Sequence, residues 1–452
     1  MYQPLLTATA ARAVKYLETL NTRSVRPDKS AIARLSSLDT ALPEHSSAPE
    51  DTIRVLDEIG SPATMASAGP RFFGFVIGGA LPVTVAAQWL ATAWDQNTGL
   101  YHITPSTVEI ERIALKWLLD VLRLPSDCGG SFVTGATVAN FTALAAARHT
   151  VLGKLGWNVE RDGLFGAPAI TVVVSEEVHP TLTKGLGLLG LGRERVLRVP
   201  VDDQGRMRAD SLPKLSGPAI VCAQAGNVNT GAVDPLADIL AYAKKHDAWL
   251  HVDGAFGLWA AAAPDLRKHL VGIEEADSWA TDAHKWLNVP YDSGLAFVRD
   301  AQALQDTMSI QAAYLPGSVT RDSSNFTPEL SRRARGVEIW AALRTLGREG
   351  VAELISRSCR HARRFAEGLR AAGFEILNEV VLNQVLVRFG DKERTEHVIA
   401  AIQQDGTCWC GGTVWQGKSA MRISVCCWAT TEQDVERSLE AIVRLAKSHV
   451  GG

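Results

Sequence analysis

An α/β fold is predicted, with a mainly parallel sheet covered by helices, an N-terminal helical arm and a small C-terminal α+β domain. Three observations predict it. Between about residues 108 and 298, short apolar runs alternate with helix-length segments, the pattern of strands buried on both faces by crossover helices. The last eighty or so residues switch to strand, strand, helix, strand, helix. The first seventy or so instead hold a helix and a polar connector. The boundaries are placed at 1–80 for the arm, 81–354 for the large domain and 355–452 for the small one.

In chain order, residues 5–21 (LLTATAARAVKYLETLN) space their apolar positions as a helix does, and residues 38–52 (LDTALPEHSSAPEDT) form a proline-punctuated connector to a second helix. No charge stands between Arg71 and Asp95, a length that could span a bilayer. Gly74, Gly78, Gly79, Pro82 and Gln88 inside it predict a turn and then a buried helix instead. Helix VEIERIALKWLLDVL leads into strand SFVTG, a helix over about 137–152, strand AITVVVS, a helix after His179 and strand RVLRV. Strand AIVCAQ, helix PLADILAYAKKH and strands AWLHVD, DSWATD and GLAFV follow. A long helical region is expected over roughly 329–371, then strands FEILN and QVLVRF, helix RTEHVIAAIQQ, strand MRISVC and helix EQDVERSLEAIVRLAKS.

The 452 residues are 46% apolar and 21% charged, which excludes intrinsic disorder. With 46 Lys+Arg against 49 Asp+Glu and no basic run of five, nucleic acid is not an expected partner. The seven cysteines are odd in number and sparse, which fits a reducing cytoplasm better than a disulfide scaffold. The N-terminal residues lack the basic-then-apolar pattern of an export signal, so a cytoplasmic protein is expected. Cys408, Cys410, Cys426 and Cys427 lack the two-residue spacing of a zinc knuckle and read as buried strand cysteines; no metal is expected.

In an open α/β sheet, ligands bind beyond the carboxyl ends of the strands, so polar residues there are the candidates. Four places qualify. Gly135, Ala136 and Thr137 lie between strand SFVT and the next helix, where small residues admit an anion to free N–H groups, although such turns also serve packing alone. His179 precedes a predicted helix and reads equally as a cap. Asp253 ends strand AWLHVD, as a helix cap or as a buried charge awaiting a cation. Lys285 follows strand DSWATD, with Asp282 and His284 beside it. Pyridoxal phosphate uses all four together: a lysine for the imine, a carboxylate for the pyridine nitrogen, an anion site and a flat group over the ring.

Carried by these residues, the chain resembles the group II pyridoxal-phosphate-dependent amino-acid decarboxylases, the family of aromatic-L-amino-acid, histidine and glutamate decarboxylases. RFFGFVIGGALP, TPSTVEIERIALKWLLDVLRLP, SFVTGATVANFTALAAAR, SEEVHPTLTKGLGLLGLG, HVDGAFG and TDAHKWLNVPYDSG occur in family order, and HVDGA and DAHKW are the specific ones. The resemblance implies the fold-type I architecture. It further implies that Lys285 holds pyridoxal 5'-phosphate as a Schiff base, Asp253 pairs with the pyridine nitrogen, His179 stacks on the ring and Ala255 packs its other face. Gly135, Ala136 and Thr137 match the phosphate loop, with His284 near the phosphate. Asn227 sits where relatives carry a threonine beside the cofactor, and Asp282 where they carry Asn or Asp. Phe75, Tyr101 and His102 are placed near the substrate, with the Tyr101 segment reaching a neighbouring subunit. Arg422 resembles the carboxylate-binding arginine of the wider fold and reads alternatively as structural. A homodimer is expected, with the site at its interface.

One departure concerns the reaction. Family decarboxylases carry a loop tyrosine that protonates the carbanion; here the corresponding segment is GSVTRDSSNFTPELSRRARG, and counting back from Arg332 and Arg333 puts Ser323 at that position. The expected activity is decarboxylation of an L-amino acid, aromatic or related, to the amine and carbon dioxide. The alternative is another enzyme of the same fold, such as an aldehyde-forming oxidative decarboxylase, an aminotransferase or a lyase. A non-catalytic pyridoxal-binding regulator would need an attached binding module, and none is visible in the first seventy or so residues.

Overall fold

The computed structural model describes residues 2–310 and 321–448. They divide into two compact units, one of residues 78–363 and 378–385, the other of residues 2–77, 364–377 and 386–448.

The larger unit is built on seven strands: β1 (Gly129–Val133), β2 (Thr171–Ser175), β3 (Val196–Val199), β4 (Ala219–Gln224), β5 (Trp249–Asp253), β6 (Ser278–Asp282) and β7 (Gly294–Val298). Their order is β1-β7-β6-β5-β4-β2-β3. β1, β4, β5, β6 and β7 are buried at every residue, as sequences that are apolar on both faces require. The sheet is parallel from β6 through β5, β4 and β2 to β3, but β7 runs antiparallel to both β1 and β6. Strict parallel alternation therefore fails at β7. Only eleven residues separate it from β6, with the one-turn helix Ala283–Trp286 among them, too short for the crossover that a parallel return needs.

Helix Ala136–Gly153 lies across this sheet and buries Ala139, Ala143, Ala145, Ala146 and Ala147, whose small side chains let it approach closely. The long helical region begins at Gly336, later than the spacing suggests, and runs to Ala371 with a non-helical residue at Gly347 (φ 60°). Helix Pro82–Trp94 departs from expectation. Of its residues only Thr84 is buried, while Trp89, Leu90 and Trp94 are 46%, 56% and 42% exposed. Among the described residues no helix is long and apolar enough to cross a membrane.

In the smaller unit the N-terminal helix is Tyr2–Thr19. The buried Arg71 binds this N-terminal region to the C-terminal one: its guanidinium donates to Asn21 O and Arg23 O at 3.2 and 3.1 Å and also to Thr407 O. A second sheet of four strands has the order β10-β11-β9-β8, formed by β8 (Glu375–Ile376), β9 (Gln384–Arg388), β10 (Gly411–Trp415) and β11 (Lys418–Ser424). β10 is not evident in the sequence. It joins β11 through Gln416 and Gly417, both with positive φ (47° and 77°), the two-residue hairpin that matches strand twist. Helices Lys392–Asp405 and Glu432–Ser448 complete the unit. All seven cysteines are buried free thiols.

Candidate active site

The parallel strands β5 and β6 are in register with Asp253 opposite Ala280, so Asp282 extends one pleat further. β7 begins beside that end, with Gly294 opposite both Asp282 and Val133 of β1. Four of the sequence candidates therefore converge on one edge of the sheet: the 135–137 turn, Asp253, Asp282 and Lys285. Gly294 makes the convergence possible, because a Cβ there would collide with the backbone of Gly135.

Asp253 is 5% exposed, and its donors are neutral: Asn140 Nδ2 at 3.1 Å and Ala255 N at 3.2 Å. Burial pushes its carboxyl up, opposed by the charges of His179 and Lys285 and by these hydrogen bonds. Those opposing charges bring His179 and Lys285 into electrostatic reach of one acid. Asp282 has a different setting. Its Oδ1 accepts from Ala136 N at 2.6 Å, its Oδ2 lies 2.9 Å from Lys285 Nζ, and His284 Nε2 is 3.6 Å from Oδ1. A carboxylate at a helix N-terminus is favourably placed against the helix dipole.

His284 Nδ1 accepts from Ser293 N at 3.1 Å, which leaves the Nε2–H for the Asp282 side. Burial pulls the pKa of His284 down, against the raising effect of Asp282. The Tyr291 ring tilts against the His284 ring at 4.3 Å. Ser293 Oγ is buried without a hydrogen-bond partner, a donor left over at the turn. Ala255 is fixed beside Asp282, whose N–H donates to Ala255 O at 2.9 Å. Gly78, which sequence reasoning did not single out for this, packs so close to Lys285 that a Cβ would collide with the lysine carbonyl.

The remaining candidates have other surroundings. His179 caps helix Pro180–Leu188, with Nδ1 2.7 Å from Thr181 Oγ1. Asn227 is buried, and its amide ties two loops together: Nδ2 donates to Glu177 Oε2, in the loop after β2, at 3.0 Å, and Oδ1 accepts from Asn229 N at 2.9 Å and Thr230 N at 3.3 Å in its own loop. Tyr101 N donates to Asp322 Oδ1 at 2.7 Å, and Ser324 N to Gly99 O at 3.0 Å, so the segment holding Ser323 packs on the Tyr101 segment. Ser323 is 4% exposed, and its Oγ has no hydrogen-bond partner. His102 is exposed. Residues 317–320 of the expected loop, and Tyr314 before it, lie outside the described residues. Phe75 and Arg422 belong to the smaller unit. There Phe75 is 65% exposed and stacks on Trp409 at 5.6 Å, and Arg422 pairs opposite Gly411 between β11 and β10.

Residues 33–390 match the family described as the pyridoxal-dependent decarboxylase conserved domain. The chain belongs to this family. It is 29% identical over 368 residues to an aromatic-L-amino-acid decarboxylase of Bacillus atrophaeus, covering 78% of this chain and 74% of the relative. It is 26% identical over 438 residues to a phenylacetaldehyde synthase of Arabidopsis thaliana, covering 90% and 87%. Its fold is similar to a crystal structure of Oryza sativa TDC with PLP and tryptamine, with a TM-score of 0.90 at 23% identity over 99% of this chain and 97% of that one.

As a pyridoxal-dependent decarboxylase, the chain is a carboxy-lyase whose cofactor is pyridoxal 5'-phosphate. The residues present fit that group. An amine, a buried carboxylate satisfied only by neutral donors, a helix N-terminus and an orphaned serine hydroxyl are the chemistry that an aldehyde, a pyridinium and a phosphate require. Sequence reasoning missed Asn140, His251, Ser278 and Trp249, which stand behind Asp253. The signal was the alternation W-x-H-x-D along one strand.

Proposed function

We propose that the enzyme decarboxylates an L-amino acid with an aromatic or related side chain, giving the amine and carbon dioxide, and that Lys285 binds the cofactor covalently through its aldehyde carbon. The observation that carries this is the convergence of two acids and one amine beyond the ends of adjacent strands: Lys285 Nζ lies 2.9 Å from Asp282 Oδ2, and its charge, with that of His179, opposes the burial of Asp253. When bound, pyridoxal phosphate supplies a protonated ring that accepts the electron pair left on the α-carbon as carbon dioxide departs.

The chain's own groups divide the remaining work. Asp253 holds the proton on the pyridine nitrogen. The Thr137 N–H, with Ser293 Oγ and His284, would bind the phosphate at the start of helix Ala136–Gly153, where the Ala136 N–H holds Asp282. His179 and Ala255 pack the two ring faces, which sets the plane to which the scissile bond must stand perpendicular. Lys285 Nζ would hold the cofactor's aldehyde carbon and, when not so engaged, is an amine held by Asp282 Oδ2 at the site. Asn227 braces the loop that carries it, and Tyr101 and His102 line the substrate side. The exposed Trp89, Leu90 and Trp94 support a homodimer, and the odd, sparse set of seven cysteines supports a cytoplasmic setting.

A second reading is favoured by one observation. Ser323 Oγ has a pKa far too high to replace a phenol as an acid, and it is buried without a partner. Without that proton, the electron pair left by carbon dioxide can pass to dioxygen, and with one water the products become carbon dioxide, an aldehyde, ammonia and hydrogen peroxide. The test is mass spectrometry of products from the holoenzyme incubated in air with pooled amino acids. An amine establishes the first reading and identifies the substrate. An aldehyde formed with stoichiometric peroxide overturns it in favour of the second.

A further inference from the structure

The acid at the end of β5 terminates a hydrogen-bond chain that crosses three elements. Trp249, His251 and Asp253 alternate along β5, so their side chains leave the sheet on one face. Ser278 stands opposite His251 in the β5–β6 register, and Asn140 comes from the covering helix. Trp249 Nε1 donates to Ser278 Oγ at 2.8 Å, and Ser278 Oγ lies 2.9 Å from His251 Nδ1. His251 Nε2 lies 2.9 Å from Asn140 Oδ1, and Asn140 Nδ2 donates to Asp253 Oδ2 at 3.1 Å. All five side chains are buried, and none of the four behind Asp253 carries a charge.

The direction of the chain follows from its first member. An indole N–H can only donate. Ser278 Oγ therefore accepts from Trp249 and turns its own hydrogen to His251 Nδ1. His251 then carries its proton on Nε2 and donates it to Asn140 Oδ1, which holds the Asn140 NH₂ toward Asp253. With the opposite polarity, two donors would meet at Ser278, its hydrogen would have no acceptor, and the Asn140 carbonyl would face Asp253. Only a protonated Asp253 could meet that carbonyl. The two polarities of the chain thus correspond to the two protonation states of the acid.

We infer that Trp249, Ser278, His251 and Asn140 form a one-way positioning relay that keeps Asp253 ionised toward the pyridine nitrogen of the cofactor. The inference rests on the reading of Asp253 proposed above. Burial works against ionisation, and His179, Lys285 and Ala255 N work for it from other sides. The relay adds a donor whose orientation is fixed from the far end, by residues that act only through Asp253.

A double-mutant cycle on cofactor retention tests this. In the holoenzyme, Ser278→Ala should raise the pyridoxal phosphate dissociation constant roughly tenfold, the scale of one hydrogen bond to a charged group. Trp249→Phe should move it the same way, and both should shift the acid limb of the kcat profile to higher pH. In an Asp253→Ala background, Ser278→Ala should change the constant by less than about twofold, because the relay has lost its endpoint. Equal losses in both backgrounds overturn the relay and leave Ser278 a packing role. If Asp253→Ala alone retains the cofactor as the wild type does, the reading of Asp253 itself falls and takes the relay with it. Neutron diffraction on the unsubstituted holoenzyme decides the point without relying on a variant that folds. A proton on His251 Nε2 upholds the relay, and a proton on Nδ1 overturns it.

Discussion

Acidification should unfold this chain in part through His251. The ring is fully buried with both nitrogens hydrogen-bonded, and burial pulls its pKa from 6.5 down to about 3. The fold therefore favours the neutral ring. Its contribution is whole above about pH 6.5 and is lost as the pH falls toward 3, because in that window the unfolded chain binds a proton that the folded chain refuses. At a limiting slope of about 1.4 kcal/mol per pH unit, half of it at pH 6.5 itself, acidifying from pH 6.5 by two units removes about 2 kcal/mol, and the complete titration about 5. A typical net stability is only about 5 to 15 kcal/mol. The assay is the urea midpoint of holoenzyme at fixed cofactor concentration, between about pH 8 and about pH 4, for the wild type and His251→Gln. His251→Gln should begin less stable, having lost part of its hydrogen bonding, and then fall with a slope shallower by about one proton. The comparison is repeated in an Asp253→Asn background, so that the acid at the end of the same hydrogen-bond chain does not titrate. Parallel curves would refute the reasoning.

Borohydride reduction of the holoenzyme followed by peptide mapping should place the pyridoxyl group on Lys285; a label on any other lysine removes the anchor assignment. Gly294→Ala should weaken cofactor binding by roughly tenfold or more, since the new Cβ meets the Gly135 backbone and such overpacking costs about 1–3 kcal/mol. An unchanged dissociation constant would mean that the 135–137 turn does not hold the phosphate. Ser323→Tyr should raise the amine share of the products at the expense of aldehyde, and a constant product ratio would separate residue 323 from proton delivery. Trp89→Asp should shift sedimentation from dimer toward monomer, because it puts a charge among half-exposed apolar side chains. A wild-type monomer would dispose of that surface as an interface.

The large sheet was legible because strands such as VVV in β2 and AIVCA in β4 are apolar on both faces, which only a covered sheet accommodates. The reversed β7 was not, since a five-residue apolar strand has no direction of its own; direction came from the shortness of its connection. β10 escaped because its turn is Gln-Gly and its residues alternate in exposure on a hairpin with three glycines nearby. Helix Pro82–Trp94 was read as buried from its lack of charge. Hydropathy records that a face avoids water, but not whether this chain or another surface covers it. At the site, strand ends located Asp253, Asp282 and Lys285, and family order supplied their roles. Family order does not foresee the partners of Asn227, whose amide is engaged by Glu177 of the loop after β2 and by the N–H groups of Asn229 and Thr230 in its own loop.

Under the roles proposed for them, two aspartates one pleat apart perform opposite duties, and their partners explain why. Asp282 meets a lysine amine and a helix N-terminus, positive partners for a carboxylate in a dry setting, so it needs no further support. Asp253 meets two neutral donors, and its charge is tolerable only while a cation faces it or its donors are held in place. A pyridinium is such a cation, and it is bound most tightly where the site has left an acid incompletely paired. An arginine beside Asp253 would stabilise the fold further and weaken its hold on the cofactor. Neutral, oriented support from Asn140 keeps the acid charged without satisfying it, which is the compromise a cofactor site requires.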